Sequence, residues 1–109
     1  MKTYKLVTDF GTYEVTLEVS EYLDNDTLAI ELIDVKENEP FAILTVNLDT
    51  YGADKETAYV DINNCPWALK FIEENKLGEF VGKYGQSGFC LYPLYKFYLK
   101  KIIGSQNND

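Results

Sequence analysis

Apolar and polar residues alternate through the first half of the chain, and then the period changes. Tyr4, Leu6 and Phe10, followed by Tyr13, Val15, Leu17 and Val19, interleave with polar residues as half-buried strands do. Asp9-Phe10-Gly11-Thr12 supplies a glycine for the turn between them. Leu28, Ile30 and Leu32 resume the alternation after an Asp24-Asn25-Asp26 turn, and Glu37-Asn38-Glu39-Pro40 separates them from a run between Phe41 and Leu48. Connections this short predict four antiparallel strands in a meander. A fifth strand, Thr57 to Ile62, follows a polar loop containing Gly52.

Helical spacing takes over at Trp67, Ala68, Phe71 and Ile72, with Glu73, Glu74 and Lys76 on the other side. Asn64 or Cys65 suits the cap position, Pro66 the first turn, and Gly78 the left-handed cap, so a helix of about three turns is expected from Pro66 to Leu77. Gly82, Gly85 and Gly88 then read as an open loop or hinge. From Phe89 to Leu99 the residues are apolar on both sides, as in a central or covered strand. Pro93 places a sheet edge or a bulge within that strand.

The expected fold is therefore α+β: an antiparallel β-sheet of about five to six strands with one α-helix packed across it through Trp67, Phe71 and Ile72. At 109 residues the chain is one domain by length, large enough to bury a core without metal or disulfide, and residues 103–109 are expected to form a disordered tail. The longest apolar run falls far short of a membrane span, and Met1 to Phe10 lacks the hydrophobic stretch of a secretory signal. These features read as a cytoplasmic protein, in which Cys65 and Cys90 are expected to be reduced thiols.

Charge divides the chain. Residues 1–64 carry fourteen Asp/Glu against four Lys, a net of −10, whereas residues 65–109 carry four against six, a net of +2. An acidic front half opposes direct nucleic-acid binding, which needs clustered basic residues to release counterions. Lys96, Lys100 and Lys101 beside the aromatic C-terminal strand supply only a weak attraction.

The strings LTVNL (44–48), AYVDINNCPW (58–67), FIEENKLG (71–78) and GQSGFCLYPLYKF (85–97) carry a resemblance. They resemble an uncharacterised domain-of-unknown-function family carried by conjugative elements and phage-related islands of low-GC gut bacteria. The resemblance covers about the last two thirds of the chain and implies a small accessory protein of a mobile element. Such elements often carry inhibitors of host defence.

No residue set spells out catalysis. Gly85-Gln86-Ser87-Gly88 has the wrong spacing for a nucleophile elbow, and the sequence contains no histidine to accept a serine or cysteine proton. Two cysteines without histidine do not complete a zinc site, and the Asp24-Asn25-Asp26 turn lacks the glycine and glutamate of a calcium loop. Accordingly no enzyme activity, cofactor or metal is expected. The sharper candidate is a face of carboxylates. If Tyr13, Val15 and Leu17 face inward, then Glu14 and Glu18 face solvent, Glu31 joins them from the next strand, and Asp24 and Asp26 extend the face at its end. Such a face is expected to meet a protein partner with a basic surface, such as a nucleic-acid-acting enzyme. Tyr84 and Gln86 in the glycine-bearing loop form a second candidate contact.

Overall fold

The computed structural model describes residues 2–48 and 53–107, so the loop around Gly52 lies outside the described residues. Among the described residues, eight strands form two antiparallel four-stranded sheets. The first sheet is the expected meander: β1 (Tyr4–Thr8), β2 (Gly11–Glu21), β3 (Leu28–Asp34) and β4 (Glu39–Ile43), in that order. Its period-two residues Tyr4, Leu6, Val15, Leu17, Leu28, Ile30 and Leu32 are all buried. Phe10 departs from the expected alternation: it sits in the β1–β2 turn and is 92% exposed.

The run between Phe41 and Leu48 is not one strand. It leaves the first sheet after β4 and enters the second as β5 (Thr45–Val46), with buried Leu44 at the corner. The Leu44 N–H donates to the Ile30 carbonyl at 2.9 Å, and the Leu44 carbonyl accepts from the Asp61 N–H at 2.9 Å. One residue thus satisfies its backbone in both layers, which is how a strand turns a corner between packed sheets.

The second sheet adds β6 (Thr57–Val60), β7 (Gly78–Ser87) and β8 (Cys90–Phe97), in the order β5-β6-β8-β7. The expected single sheet with one helix is corrected to two sheets and two helices among the described residues. The glycine loop is also corrected, because residues 78–87 form the edge strand β7. Gly78 and Gly85 serve close approach: a Cβ at Gly78 would lie 2.6 Å from the Lys96 carbonyl oxygen, and one at Gly85 2.6 Å from Leu48 Cδ1. The ladder is irregular between Phe80 and Tyr84, opposite Tyr95 and Pro93, so the bulge expected at the proline is present. β8 is central, as its two apolar sides require.

Helix α1 spans Ala68–Glu74, shorter than the expected Pro66 to Leu77. Trp67 occupies its N-cap without a side-chain cap bond. The Asp61 carboxylate instead secures the approach, accepting from the Asn64 backbone N–H at 3.1 Å and from Asn64 Nδ2 at 2.9 Å. The left-handed position after α1 belongs to Lys76, with φ of 53°, and not to Gly78. A second helix, α2 (Leu99–Asn107), runs through part of the segment expected to be a tail and buries Ile102 completely. Ile102, Phe71, Ile72 and Leu77 share one core with the inner face of the first sheet and with Ala58, Val60 and Phe97 of the second. A smaller cluster of Leu48, Tyr59, Tyr92 and Leu94 covers another part of the second sheet.

Candidate functional site

The outer face of the first sheet follows from the same alternation that builds its core. In the β1–β2 register Lys5 lies opposite Glu14, and in the β2–β3 register Glu18 lies opposite Glu31. Glu31 in turn lies opposite Ile43 of β4. The structure therefore brings Glu14, Glu18 and Glu31 onto one face, as the alternation requires. Glu14 is partly engaged, since its Oε1 accepts from Thr3 Oγ1 at 2.6 Å. Glu18 and Glu31 face each other as like charges.

Beside that pair a groove of about 380 Å³ opens at the β2–β3 end of the sheet. Ala29, Ile43, Tyr22 and Leu23 supply apolar surface, while Glu31, Glu21 and Asp24 line it with carboxylates. Leu23 is 98% exposed and Ile43 52%, so the apolar surface faces water. The Tyr22 hydroxyl bonds Thr45 Oγ1 at 2.9 Å, and burial pushes its ionisation up despite that bond. The loop carrying Leu23 and Asp24 is closed by two backbone bonds, Tyr22 N–H to Thr27 O at 2.8 Å and Asp26 N–H to Tyr22 O at 2.9 Å. Asn25 Nδ2 ties it to Asn47 Oδ1 at 3.0 Å. Asp26 holds a positive φ of 57° and is exposed at the end of the face. Glu21 pairs with Lys55 at 3.6 Å, both side chains open to solvent.

Leu23, Ala29 and Ile43 escape sequence reasoning. An apolar residue beside an Asp-Asn-Asp turn has no core role to play, and that misfit is the signal for Leu23. Ile43 falls within the run between Phe41 and Leu48, and the corner at Leu44 leaves it exposed opposite Glu31.

Tyr84 and Gln86 lie elsewhere, on β7 of the second sheet, opposite Pro93 and Leu91. Tyr84 is 60% exposed, and Gln86 Nε2 donates to the Gly88 carbonyl at 3.2 Å, across the hairpin turn. Cys65 is buried, its Sγ directed to the Ile43 carbonyl at 3.6 Å. Burial first, then the charge of Asp61, pushes this thiol up to about 11, the opposite of what a nucleophile needs. Among the described residues, no group of three or more His, Cys, Asp or Glu comes together in a metal-binding arrangement. No helix of the described residues is long and apolar enough to cross a membrane.

The chain belongs to the family described as a domain of unknown function (DUF4313), which matches residues 16–107. The match reaches further forward than the sequence strings that carried the resemblance, and it takes in Glu18, Glu31 and the whole groove. No curated protein and no solved structure matches the chain.

Proposed function

We propose that this family member is a non-enzymatic protein-binding module whose outer first-sheet face docks a basic partner protein. The observation that carries the reading is the opposed pair Glu18 and Glu31 beside an acid-lined groove with an apolar surface. Opposed like charges on a sheet cost stability, and a cationic partner removes that cost on binding. The groove adds exposed Leu23 and Ile43 as contacts for the aliphatic stem of a lysine or arginine whose head group meets Glu31 or Asp24. A net charge of −8 steers such a partner in and repels nucleic acid.

A nucleic-acid-acting enzyme of a host defence system is the partner class this reading favours, since its substrate groove is basic. This extends the mobile-element setting that the resemblance implies. The test begins with partners recovered from the host by affinity purification. Their affinity is then measured for the native protein, for Asp24→Lys/Glu18→Lys/Glu31→Lys, and for the control Glu37→Lys/Glu39→Lys/Glu74→Lys, which changes net charge equally elsewhere. The reading expects loss in the first variant, retention in the control, weakening with salt, and competition by DNA or RNA. Equal loss in both variants reduces the face to bulk charge. Face-specific loss without nucleic-acid competition points instead to an interaction module without an anti-defence role.

A further inference from the structure

Three aromatic rings line one pocket where the second sheet meets α1. Phe80 of β7 and Tyr95 of β8 are cross-strand partners with ring centroids 5.8 Å apart and planes inclined by 42°. Together with Tyr98, Ile72, Glu73 and Lys76 they border an open depression of about 400 Å³. Phe80 is 43% exposed and Tyr98 39%, so these rings are not spent on the core. Tyr84 extends the aromatic surface, its centroid 5.2 Å from that of Phe80.

The charges that face this pocket come from α1 and the residues just after it. Glu79 also borders the pocket, but strand alternation turns its side chain to the opposite face, where its cross-strand partner is Lys96. Glu73 and Lys76 remain. Burial raises the Tyr95 ionisation most, and the next cause is the Glu73 carboxylate, which sets a negative charge near that ring. Lys101 is held beside the pocket, its Nζ donating to the Asn75 and Lys76 carbonyls at 2.8 Å each. Among the described residues Glu73 makes no direct ion pair with Lys76.

We propose that this pocket receives the ammonium head group of a lysine side chain, with or without methyl groups, presented by a protein partner. Aromatic faces attract a cation placed within about 6 Å of their centroids. The exposed Phe80 and Tyr98 rings and the half-buried Tyr95 ring border the pocket, with Glu73 as the charge complement and the ring edges as a rest for the alkyl stem. An anion would meet Glu73 and the negative ring faces. A purely apolar group would strip water from the carboxylate without replacing it. Lys76 opposes the cation and limits affinity. The site stands apart from the first-sheet face and does not depend on it.

NMR titration of the full chain tests the assignment with three probes: Nα-acetyl-lysine N-methylamide, its trimethylated form and its neutral ε-acetylated form. Both cations are expected to produce saturable shifts at Gly78, Phe80, Tyr95 and Tyr98, the trimethylated one binding more tightly, and the neutral form none. Glu73→Gln should weaken binding about threefold and Lys76→Gln tighten it about twofold; both change exposed side chains, so folding is retained. Neutral and charged probes binding alike, or no saturable shift up to about 20 mM, would overturn the proposal.

Discussion

Glu18 and Glu31 stand directly opposite each other in the antiparallel register of β2 and β3. Nothing in the core requires acids at either place, since both side chains project away from buried Leu17, Ile30 and Leu32. Opposed like charges cost on the order of 0.2–1 kcal/mol. Glu31→Gln is therefore expected to raise unfolding stability by about 0.5 kcal/mol in urea titrations while weakening a basic partner. A variant that is both less stable and fully competent to bind would separate this pair from function.

Trp67, expected to pack the helix across the sheet with Phe71 and Ile72, packs against the core but stays half-buried. Its ring meets Phe71 edge-on at 6.2 Å and Phe41 at 6.1 Å, joining α1 to β4. Part of the indole lines a surface depression with Pro66 and Lys70. Trp67→Ala is thus expected to cost about 2 kcal/mol, less than full core truncations, which remove about 3–5 kcal/mol. Phe71, buried in the same cluster, should lie in that higher range. Denaturant midpoints for the two variants would check the order.

The first sheet was legible because its strands bury one face, which leaves a period of two in the sequence. The carboxylate face came with it, as the complement of that period. β7 was not legible for the same physical reason: an edge strand with only Gly85 buried has no apolar rhythm to read. Its glycines resemble hinge residues until neighbouring backbone and rings are known. The corner at Leu44 was hidden because the change of sheet depends on long-range hydrogen bonds to Ile30 and Asp61. The lysine pocket was hidden likewise, since Glu73, Phe80, Tyr95 and Tyr98 meet only in the fold.

Stability should fall at both ends of the pH scale for identifiable reasons. Cys65 is raised from 9.0 to about 11 by burial and by Asp61. The folded state holds this proton more tightly, so its contribution is complete below pH 9.0 and is lost as pH rises through about 11. Cys65→Ala should flatten the alkaline limb even where it lowers stability at neutral pH. Asp54 runs the other way. The backbone N–H of Glu56 holds its carboxyl below the usual 3.8, assisted by Thr57. That contribution is present above 3.8 and disappears as pH falls through the lowered value, so Asp54→Ala should flatten the acid limb. Urea midpoints across pH, compared with the native protein, give both slopes.

Gly85 and Gly82 lie three residues apart on β7 and answer to different constraints. At Gly85 an added Cβ would fall 2.6 Å from Leu48 Cδ1 and 2.7 Å from Tyr59 Cε1. Both neighbours are buried in the smaller cluster, and the Tyr59 ring has little room to retreat. At Gly82 nothing lies within 4 Å, but φ is +96°, which strains any L side chain. Both alanine variants are expected to lose about 1–3 kcal/mol, from crowding in one case and backbone strain in the other. A double-mutant cycle separates them. Leu48→Ala opens space beside Gly85, so its combination with Gly85→Ala should lose clearly less than the sum of the single effects. With Gly82→Ala the effects should add to within about 0.5 kcal/mol. Additivity in both pairs would mean that Gly85 does not pack against Leu48, and that the close approach of β7 to the smaller cluster is not what the glycine serves.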